Sequence, residues 1–141
     1  MGADRVPDAA AVDAAANGLL AALDDDVLPQ RLSASQLRAM LTLEEISGGI
    51  NLRGLAERLG VVLSSASRLS DRLVAAGLLE RRQSDEDRRE VLVRLSSSGR
   101  RLLADLRSRR RERLAEVLSR MTPEDRAALR RGLEAFRKAS P

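Results

Sequence analysis

Hydroxyl and guanidinium side chains recur between residues 64 and 72 of this 141-residue chain. Helical spacing places them on one face, opposite the apolar residues of the same stretch. When a helix enters the major groove of duplex DNA, such groups bind phosphate oxygens and purine edges. A solvated helix surface has the same composition, so the surrounding elements must decide between the two interpretations. The candidate residues are Ser64, Ser65, Ser67, Arg68 and Arg72.

The sequence lacks most of the residues that catalysis or metal binding would need. There is no histidine to activate a serine, no cysteine, and no Gly-x-x-x-x-Gly-Lys phosphate loop. The acidic run Asp85–Asp87 could attract a cation, but it lacks the alternating oxygen ligands and the glycine of a calcium loop. We therefore expect no catalytic residue, no metal site and no cofactor, and we do not expect an enzyme.

The residues around the polar stretch predict a helix-turn-helix. Asn51 suits the cap of a first helix, Ala56 is small where two helices would cross, and Gly60 follows in the turn. The second helix would then carry the candidate polar face. The residues expected to be buried are Leu55, Leu59, Val61, Ala66, Leu69 and Leu73.

Two short strands are predicted after the second helix. Gly77 suits the left-handed end of a helix, and from Glu90 onward the residues alternate as they do in a half-buried strand. One side of that strand is expected to carry Val91, Val93 and Leu95, and the other side Leu92 and Arg94. A polar loop, Gln83–Arg89, joins the strands. Two strands with a polar tip, placed directly after a helix-turn-helix, predict a winged helix-turn-helix.

Four sequence blocks in this region keep a recognisable order and spacing. They are LAERLG at Leu55–Gly60, RLSDRL leading to AGL within Arg68–Leu78, DRR at Asp87–Arg89, and LSSSGR at Leu95–Arg100. Together they resemble the multiple-antibiotic-resistance regulator (MarR) family of bacterial transcription factors. One departure is that Val62 and Leu63 stand where such proteins usually carry a polar cap and often a proline. We therefore expect Ser64 or Ser65 to cap the second helix, or its first turn to remain partly uncapped.

The resemblance also implies how the wing would contact DNA. Five arginines and four acids lie between Arg81 and Arg94, so the wing is not a uniformly basic surface for DNA. The resemblance implies that Arg89 enters the minor groove while Asp87 holds its guanidinium by a charge-assisted bond. Arg88, between them, is the third candidate residue of the wing. The alternative is a salt bridge at the tip with no DNA partner.

Helical segments flank the winged region on both sides. The predicted helices span Asp8–Leu28, Ser33 to about Ile46, Ser96 to about Arg120, and a last segment capped by Thr122 with Pro123 in its first turn. Residues 1–30 have six aspartates and one arginine, whereas residues 100–120 have eight arginines and three acids, so the terminal helices should pack together. We assign 33–96 to the winged DNA-binding region, and 1–30 with 97–141 to dimerisation helices.

The apolar residues of the flanking helices predict a homodimer. Phe136 is the only aromatic residue, so the core must consist of small aliphatic side chains, which bury less surface. The long helix has its apolar stripe at Leu102, Leu106, Leu114, Val117, Leu118 and Met121. On the last helix, Leu129, Leu133 and Phe136 have nothing else in so short a chain to cover them. The expected fold class is mainly α with a small β wing, flanked by dimerisation helices.

The expected function is that of a sequence-specific DNA-binding regulator, most simply a repressor, acting as a homodimer on a pseudo-palindromic operator. The resemblance implies that a small aromatic or phenolic effector binds between the dimer region and the winged region. Arg110 and Arg113 interrupt the long apolar stripe and could bind an anionic effector, although ion pairs with Asp24–Asp26 are the alternative. The other functional class is a protein-interaction module that keeps the winged fold without binding DNA. Because no long apolar run or basic leader occurs, a soluble cytoplasmic protein is expected.

Overall fold

A computed structural model describes residues 8–24 and 32–141 of the chain. It is mainly helical with a small three-stranded antiparallel sheet, so the expected fold class is confirmed. The elements are α1 (Ala9–Asp24), α2 (Ala34–Glu44), β1 (Ile50–Asn51), α3 (Leu52–Leu59), α4 (Leu63–Ala75), β2 (Leu79–Gln83), β3 (Val91–Leu95), α5 (Ser97–Ser119) and α6 (Pro123–Ala139). The helix α2 ends slightly before the predicted Ile46, and the predicted end of α1 at Leu28 lies outside the described residues.

Side-chain caps fix where three of the helices begin. Ser33 and Gln36 form the expected capping box of α2: the Gln36 N–H donates to Ser33 Oγ at 3.1 Å, and the Ser33 N–H donates to Gln36 Oε1 at 2.9 Å. Asn51 caps α3 by accepting a 2.8 Å bond from the Gly54 N–H. Thr122 caps α6 in the same way, directly before the proline of the first turn. These short local signals were all predicted correctly from the sequence.

The winged region is built around a core that α2, α3 and α4 share with the wing strands and the start of α5. Its buried apolar residues are Ala39, Met40, Leu43, Leu55, Ala56, Leu59, Ala66, Leu73, Leu79, Val93, Leu95, Leu103 and Leu106. Of the six residues predicted to be buried in the helix-turn-helix, four are buried and Leu69 is half-buried. The prediction was wrong for Val61, which is 39% exposed, because it lies in the turn and borders a surface groove beside α4. On α5 the structure buries Leu103, which the predicted stripe omitted.

Two glycines take left-handed backbone conformations where α3 and α4 end. Gly60 has a φ of +67° and Gly77 a φ of +75°, a region in which any residue with a side chain is strained. The prediction for Gly77 is therefore confirmed. The Ser96 hydroxyl donates to the Gly77 carbonyl at 2.6 Å, and the Ser96 N–H donates to the Leu78 carbonyl at 3.0 Å. These two bonds tie the start of α5 to the turn that follows α4.

The wing sheet has the strand order β1-β3-β2, and both neighbouring pairs are antiparallel. The strand β1 contributes only Ile50 and Asn51, whereas β2 and β3 pair along five residues each. The predicted alternation is seen in β3, where Val93 and Leu95 are buried. Val91, at the outer end of the hairpin, is 47% exposed because the core does not extend that far toward the tip.

The described residues divide into two compact units. One consists of residues 32–107, and the other of residues 8–24 with 108–141. The second unit contains an apolar groove of about 620 Å³. Its lining consists of Leu19, Leu114, Leu118, Ala127, Leu129 and Leu133, with Arg126 and Arg130. No residue of α6 is buried, and Phe136 is 68% exposed. Among the described helices, none is both long enough and apolar enough to cross a membrane.

The buried hydroxyl of Ser70 offers a test of the core. Ser70 is fully buried on the inner face of α4, and its Oγ has no hydrogen-bond partner among the described residues. An unpaired buried hydroxyl destabilises the folded state, so Ser70→Ala should raise the free energy of unfolding by about 1 kcal/mol. Denaturant unfolding measures this change. Ser67→Ala on the same helix controls for the helix propensity of alanine, and equal gains in both variants would contradict the prediction.

Candidate nucleic-acid interface

The outer face of α4 carries the five polar residues singled out in the sequence. Ser64, Ser65, Arg68 and Arg72 are exposed, and Ser67 is half-buried. The opposite face of the helix is buried in the core of the winged region. One continuous helix surface therefore presents three hydroxyls and two guanidiniums, all of which can donate hydrogen bonds to phosphates or base edges.

The first turn of α4 has no side-chain cap. Val62 occupies the N-cap position and makes no side-chain hydrogen bond to the helix. Neither of the serines that follow caps the helix, so the second of the two expected arrangements is the one found. The backbone N–H groups of Leu63 and Ser64 have no acceptor within the helix, as at any helix start. Such free N–H groups can bind an external acceptor such as a phosphate oxygen.

Two grooves separate the donors of α4 into two groups. On one side, Ser65, Arg68 and Arg72 border a groove of about 370 Å³ that also contains Ser35 at the start of α2. On the other side lies a cleft of about 870 Å³ that leads to the base of the wing. The residues that line this wing cleft are Asn51, Leu52, Arg53, Leu63, Ser64, Ser67 and Glu90. The arginines of α4 and its wing-facing hydroxyls thus have different surroundings.

Three of the five arginines of the wing are held in ion pairs. Arg81 pairs with Asp71 of α4. Arg82 pairs with Asp85 at 2.5 Å, and Arg94 pairs with Glu80 at 2.5 Å. Arg88 and Arg89 are exposed and form no ion pair with any residue that the structure describes. The two wing arginines without an ion pair therefore both lie at the tip, next to Glu86 and Asp87, which form no ion pair with a described residue either.

The wing tip is ordered by side chains that accept hydrogen bonds from the backbone. Ser84 is buried, and its Oγ accepts bonds from the Glu86 and Asp87 N–H groups at 3.3 and 3.4 Å. Asp87 Oδ1 accepts from the Arg89 N–H at 2.9 Å. The expected bond between Asp87 and the Arg89 guanidinium is absent from the described part of the chain. Asp87 instead binds the backbone of Arg89, as short acidic side chains do in tight turns.

The arginines of α5 differ in whether they have partners. Arg107 donates to Glu44 of α2, with Nη1 to Oε1 at 2.7 Å, and these hydrogen bonds hold the pKa of the Glu44 carboxyl below its ordinary value. Arg110 is exposed and Arg113 is half-buried, and neither pairs with a described residue. The partners expected for them, Asp24–Asp26, have side chains that lie outside the described residues.

Comparison with known proteins places this geometry in a family. Residues 32–91 match the MarR family. The chain is 30% identical over 108 residues to YfiV of Bacillus subtilis (strain 168), an uncharacterized HTH-type transcriptional regulator, and the match covers 77% of this chain and 67% of that protein. The chain belongs to the MarR family. Its fold is close to the crystal structure of RV1404 from Mycobacterium tuberculosis, with a TM-score of 0.85 and 32% identity over 99% of this chain and 98% of the other.

A second solved structure supports the fold alone. It is that of a mutant of S. aureus MepR bound to an oligodeoxyribonucleotide, with a TM-score of 0.73 and 16% identity over 96% of this chain and 99% of the other. MarR-family regulators are generally non-enzymatic DNA-binding proteins. This MarR-family chain is accordingly a DNA-binding transcriptional regulator.

Within residues 8–24 and 32–141, no three histidine, cysteine, aspartate or glutamate residues are placed to hold a metal ion.

Two residues beside the polar face of α4 in this MarR-family chain were not predicted from the sequence. Arg53 is exposed in the first turn of α3 and lines the wing cleft with Ser64 and Ser67. Ser35 borders the groove that contains Arg68. Each is the second residue of a helix, two positions after the residue that caps it, and that position is a signal for phosphate binding that the sequence does contain.

Proposed function

We propose that this MarR-family chain is a homodimeric repressor that binds a pseudo-palindromic operator in duplex DNA. One observation supports the DNA contact above all. The hydroxyls and guanidiniums of α4 lie in the same compact unit as Arg88 and Arg89, which form no ion pair with any described residue. A helix rich in donors suits the major groove, and exposed arginines without an ion-pair partner suit the minor groove beside it.

The two elements would divide the contacts between them. Arg68 and Arg72 would reach base edges in the major groove, since guanidinium groups bind purine edges in a bidentate manner. The shorter side chains of Ser64, Ser65 and Ser67 would bind phosphates and those base atoms that lie close to the helix. Arg89 would enter the minor groove with Arg88 on the adjacent phosphate, while Asp87 shapes the turn that presents them.

The flanking helices supply the argument for a dimer. In the unit that contains α6, Leu133 is 48% exposed and Phe136 is 68% exposed, next to an open apolar groove. A second copy of the chain would cover these side chains with its own, as two-fold symmetric interfaces do. The two α4 helices would then enter successive major grooves roughly 34–36 Å apart. A dimer bound in this way across a promoter would block transcription, which is the reason to propose a repressor.

Release of the operator by a small aromatic or phenolic molecule is proposed from the family resemblance. Arg110 and Arg113 are the candidate groups for an effector that carries a negative charge, since neither has an ion-pair partner among the described residues. An effector that binds the free form of the dimer more tightly than the DNA-bound form would shift the protein away from DNA.

One observation favours the alternative of a protein-interaction module. Val61, Val62 and Leu63 are 39%, 67% and 47% exposed, and they form an apolar patch at the start of α4. A protein partner could cover such a patch. On DNA, however, the same side chains would contact thymine methyl groups, which are the apolar feature of the major groove.

Retention of genomic DNA tests the proposal. The protein is mixed with sheared DNA of its source organism and an excess of unrelated duplex, and the retained fragments are sequenced and footprinted. A regulator should retain a small set of fragments with a two-fold symmetric footprint, and a panel of phenolic carboxylates should contain members that release them. A protein-interaction module should retain no fragment above the unrelated duplex.

The turn at the wing tip yields a prediction with a matched control. Asp87→Ala and Glu86→Ala remove the same charge from neighbouring exposed positions, but only Asp87 binds the Arg89 backbone. Asp87→Ala should therefore bind a selected operator about threefold to tenfold more weakly than Glu86→Ala does. Titration of both variants against one duplex at two salt concentrations measures the difference. Equal affinities would mean that Asp87 acts on DNA only through its charge.

A further inference from the structure

Asn51 and Glu90 make a side-chain contact that the proposed DNA interface does not itself require. Asn51 Nδ2 donates to Glu90 Oε1, between residues that are 39 positions apart in the sequence. The other end of the same amide caps α3, because Asn51 Oδ1 accepts from the Gly54 N–H at 2.8 Å. The Asn51 backbone also pairs with Leu92 in the sheet. One residue therefore joins the start of the helix-turn-helix to the base of the wing.

Glu90 is the residue at which the wing tip joins β3. Its carbonyl accepts from the Ser84 N–H at 2.9 Å, and its N–H donates to the Asp87 carbonyl at 3.0 Å. These two bonds close the loop that displays Arg88 and Arg89. A displacement of Glu90 would therefore displace both arginines relative to α4.

The sheet alone restrains this part of the wing weakly. The strand β1, through which the helix-turn-helix joins the sheet, consists only of Ile50 and Asn51. The ion pair of Asp71 with Arg81 links α4 to β2, but it leaves the end of β3 next to the tip without a side-chain tie. The Asn51–Glu90 contact supplies that tie.

If Glu90 acted only through its charge, it would weaken DNA binding. Its carboxylate borders the wing cleft together with Arg53 and two hydroxyls of α4. When α4 occupies a major groove and the wing occupies the next minor groove, the sugar–phosphate strand between those grooves passes over this cleft. A carboxylate repels a phosphate, so a group with no other effect would weaken DNA binding, and its removal would strengthen binding.

We propose that Glu90 is a positioning residue for DNA binding. Its contact with Asn51 holds the wing tip at a fixed place relative to α3 and α4, so that Arg89 reaches the minor groove and Arg88 the adjacent phosphate without further ordering. The loss of this tie would leave the tip free to sample other positions, and DNA binding would then have to order it. The inference rests on the proposed function, in which α4 and the wing bind one duplex together.

Three variants separate the tie from the charge. Glu90→Gln keeps an acceptor for Asn51 Nδ2 and removes the charge, whereas Glu90→Ala removes both. Asn51→Ser retains a good helix cap for α3 but is too short to reach Glu90. The affinity of each variant is measured for the duplex that the unaltered protein selects, together with hydroxyl-radical protection of the flanking minor grooves and protection of major-groove bases. Denaturant unfolding of each variant confirms that it is folded under the conditions of the titration.

If the Asn51–Glu90 contact positions the wing tip, Glu90→Gln and Glu90→Ala should differ in DNA affinity although they have the same charge. Glu90→Ala should bind about fivefold to tenfold more weakly than Glu90→Gln, and should lose minor-groove protection while major-groove protection persists. Asn51→Ser should lose the same minor-groove protection and bind at least as weakly as Glu90→Ala, because it removes the contact but keeps the carboxylate. The variant with both substitutions should be no weaker than Asn51→Ser alone, because both substitutions remove the same contact.

Two outcomes would overturn the inference. Equal affinities of Glu90→Gln and Glu90→Ala would show that Glu90 acts through its charge or has no effect. Additive losses in the double variant would show that the two residues act independently. If the unaltered protein selects no duplex, the proposed function fails and the inference fails with it. If the unaltered protein selects a duplex and the two Glu90 variants bind alike, only the inference fails.

Discussion

Phe136→Asp is expected to convert the proposed dimer to a monomer of 15.4 kDa and to weaken operator binding by about a hundredfold or more. The side chain of Phe136 is 68% exposed in the single chain, on the same side of α6 as Leu129 and Leu133 of the apolar groove. If a second copy covers this side of the helix, the substitution places a carboxylate in an apolar interface. A charge without a partner in such a place is unfavourable by several kcal/mol, about 3 or more. Sedimentation velocity at micromolar concentration measures the change in mass.

Ala135→Asp provides the matched control. Ala135 is exposed on α6, and the substitution adds the same charge on a different side of the helix. This variant should remain a dimer. A Phe136→Asp protein that sediments as the unaltered protein does, or that is monomeric only to the extent that Ala135→Asp is, would remove α6 from the dimer interface.

Arg68→Ala is expected to weaken operator binding by about 1–3 kcal/mol, which corresponds to about fivefold to 150-fold. Arg68 is exposed on the outer face of α4, borders a groove with Ser65 and Arg72, and pairs with no acid in the described part of the chain. Its guanidinium is thus available to a base edge. If it reads a base, the loss should be large on the selected operator and small on random duplex, and preference should relax at one position of each half-site.

Arg101→Ala controls for the loss of a positive charge. Arg101 is an exposed arginine of α5 in the same compact unit, outside the proposed interface. Its removal should change affinity only slightly and equally for operator and random duplex, since it acts at long range. If Arg68→Ala instead weakens binding to both duplexes by the same factor, Arg68 contacts a phosphate and the specificity lies elsewhere on α4.

The sequence predicted those parts of the fold that depend on neighbouring residues. The capping box of Ser33 with Gln36, the cap at Asn51 and the left-handed Gly77 involve residues within a few positions of one another, and each was found. The order of helices and strands in the winged region follows from such signals together with the alternation in β3. Backbone geometry and short-range hydrogen bonds dictate these features almost alone.

Features that depend on the packing of distant residues could not be predicted in the same way. A helical stripe does not determine which neighbouring side chain faces the core, so Leu103 rather than Leu102 is the more deeply buried of the two. Val61 follows the left-handed residue Gly60, beyond the end of α3, where the helical spacing of buried positions no longer applies. The pairing of Asp71 with Arg81 requires the wing to fold back on α4, and a net charge calculated for the wing alone cannot include that aspartate.

The candidate site shows the same division. The five polar residues of α4 were identified because a helix has a fixed period, and all of them lie on its outer face. The prediction for Asp87 named the right residue pair but the wrong atoms, since the carboxylate accepts from the backbone N–H of Arg89 rather than from its guanidinium. Arg53 was missed because it becomes part of the interface only when α3 and α4 meet beside the wing.

Selection from a pool of random duplexes tests the central claim most directly. The unaltered protein is equilibrated with the pool at moderate salt, bound duplexes are recovered over several rounds, and the enriched sequences are aligned. A dimer that uses α4 and the wing should enrich a pseudo-palindrome whose half-site centres lie about one helical turn, roughly 10–10.5 base pairs, apart, with A·T-rich flanks where the wing tips enter the minor groove. An unenriched pool, or a single half-site without a symmetric partner, would contradict the account.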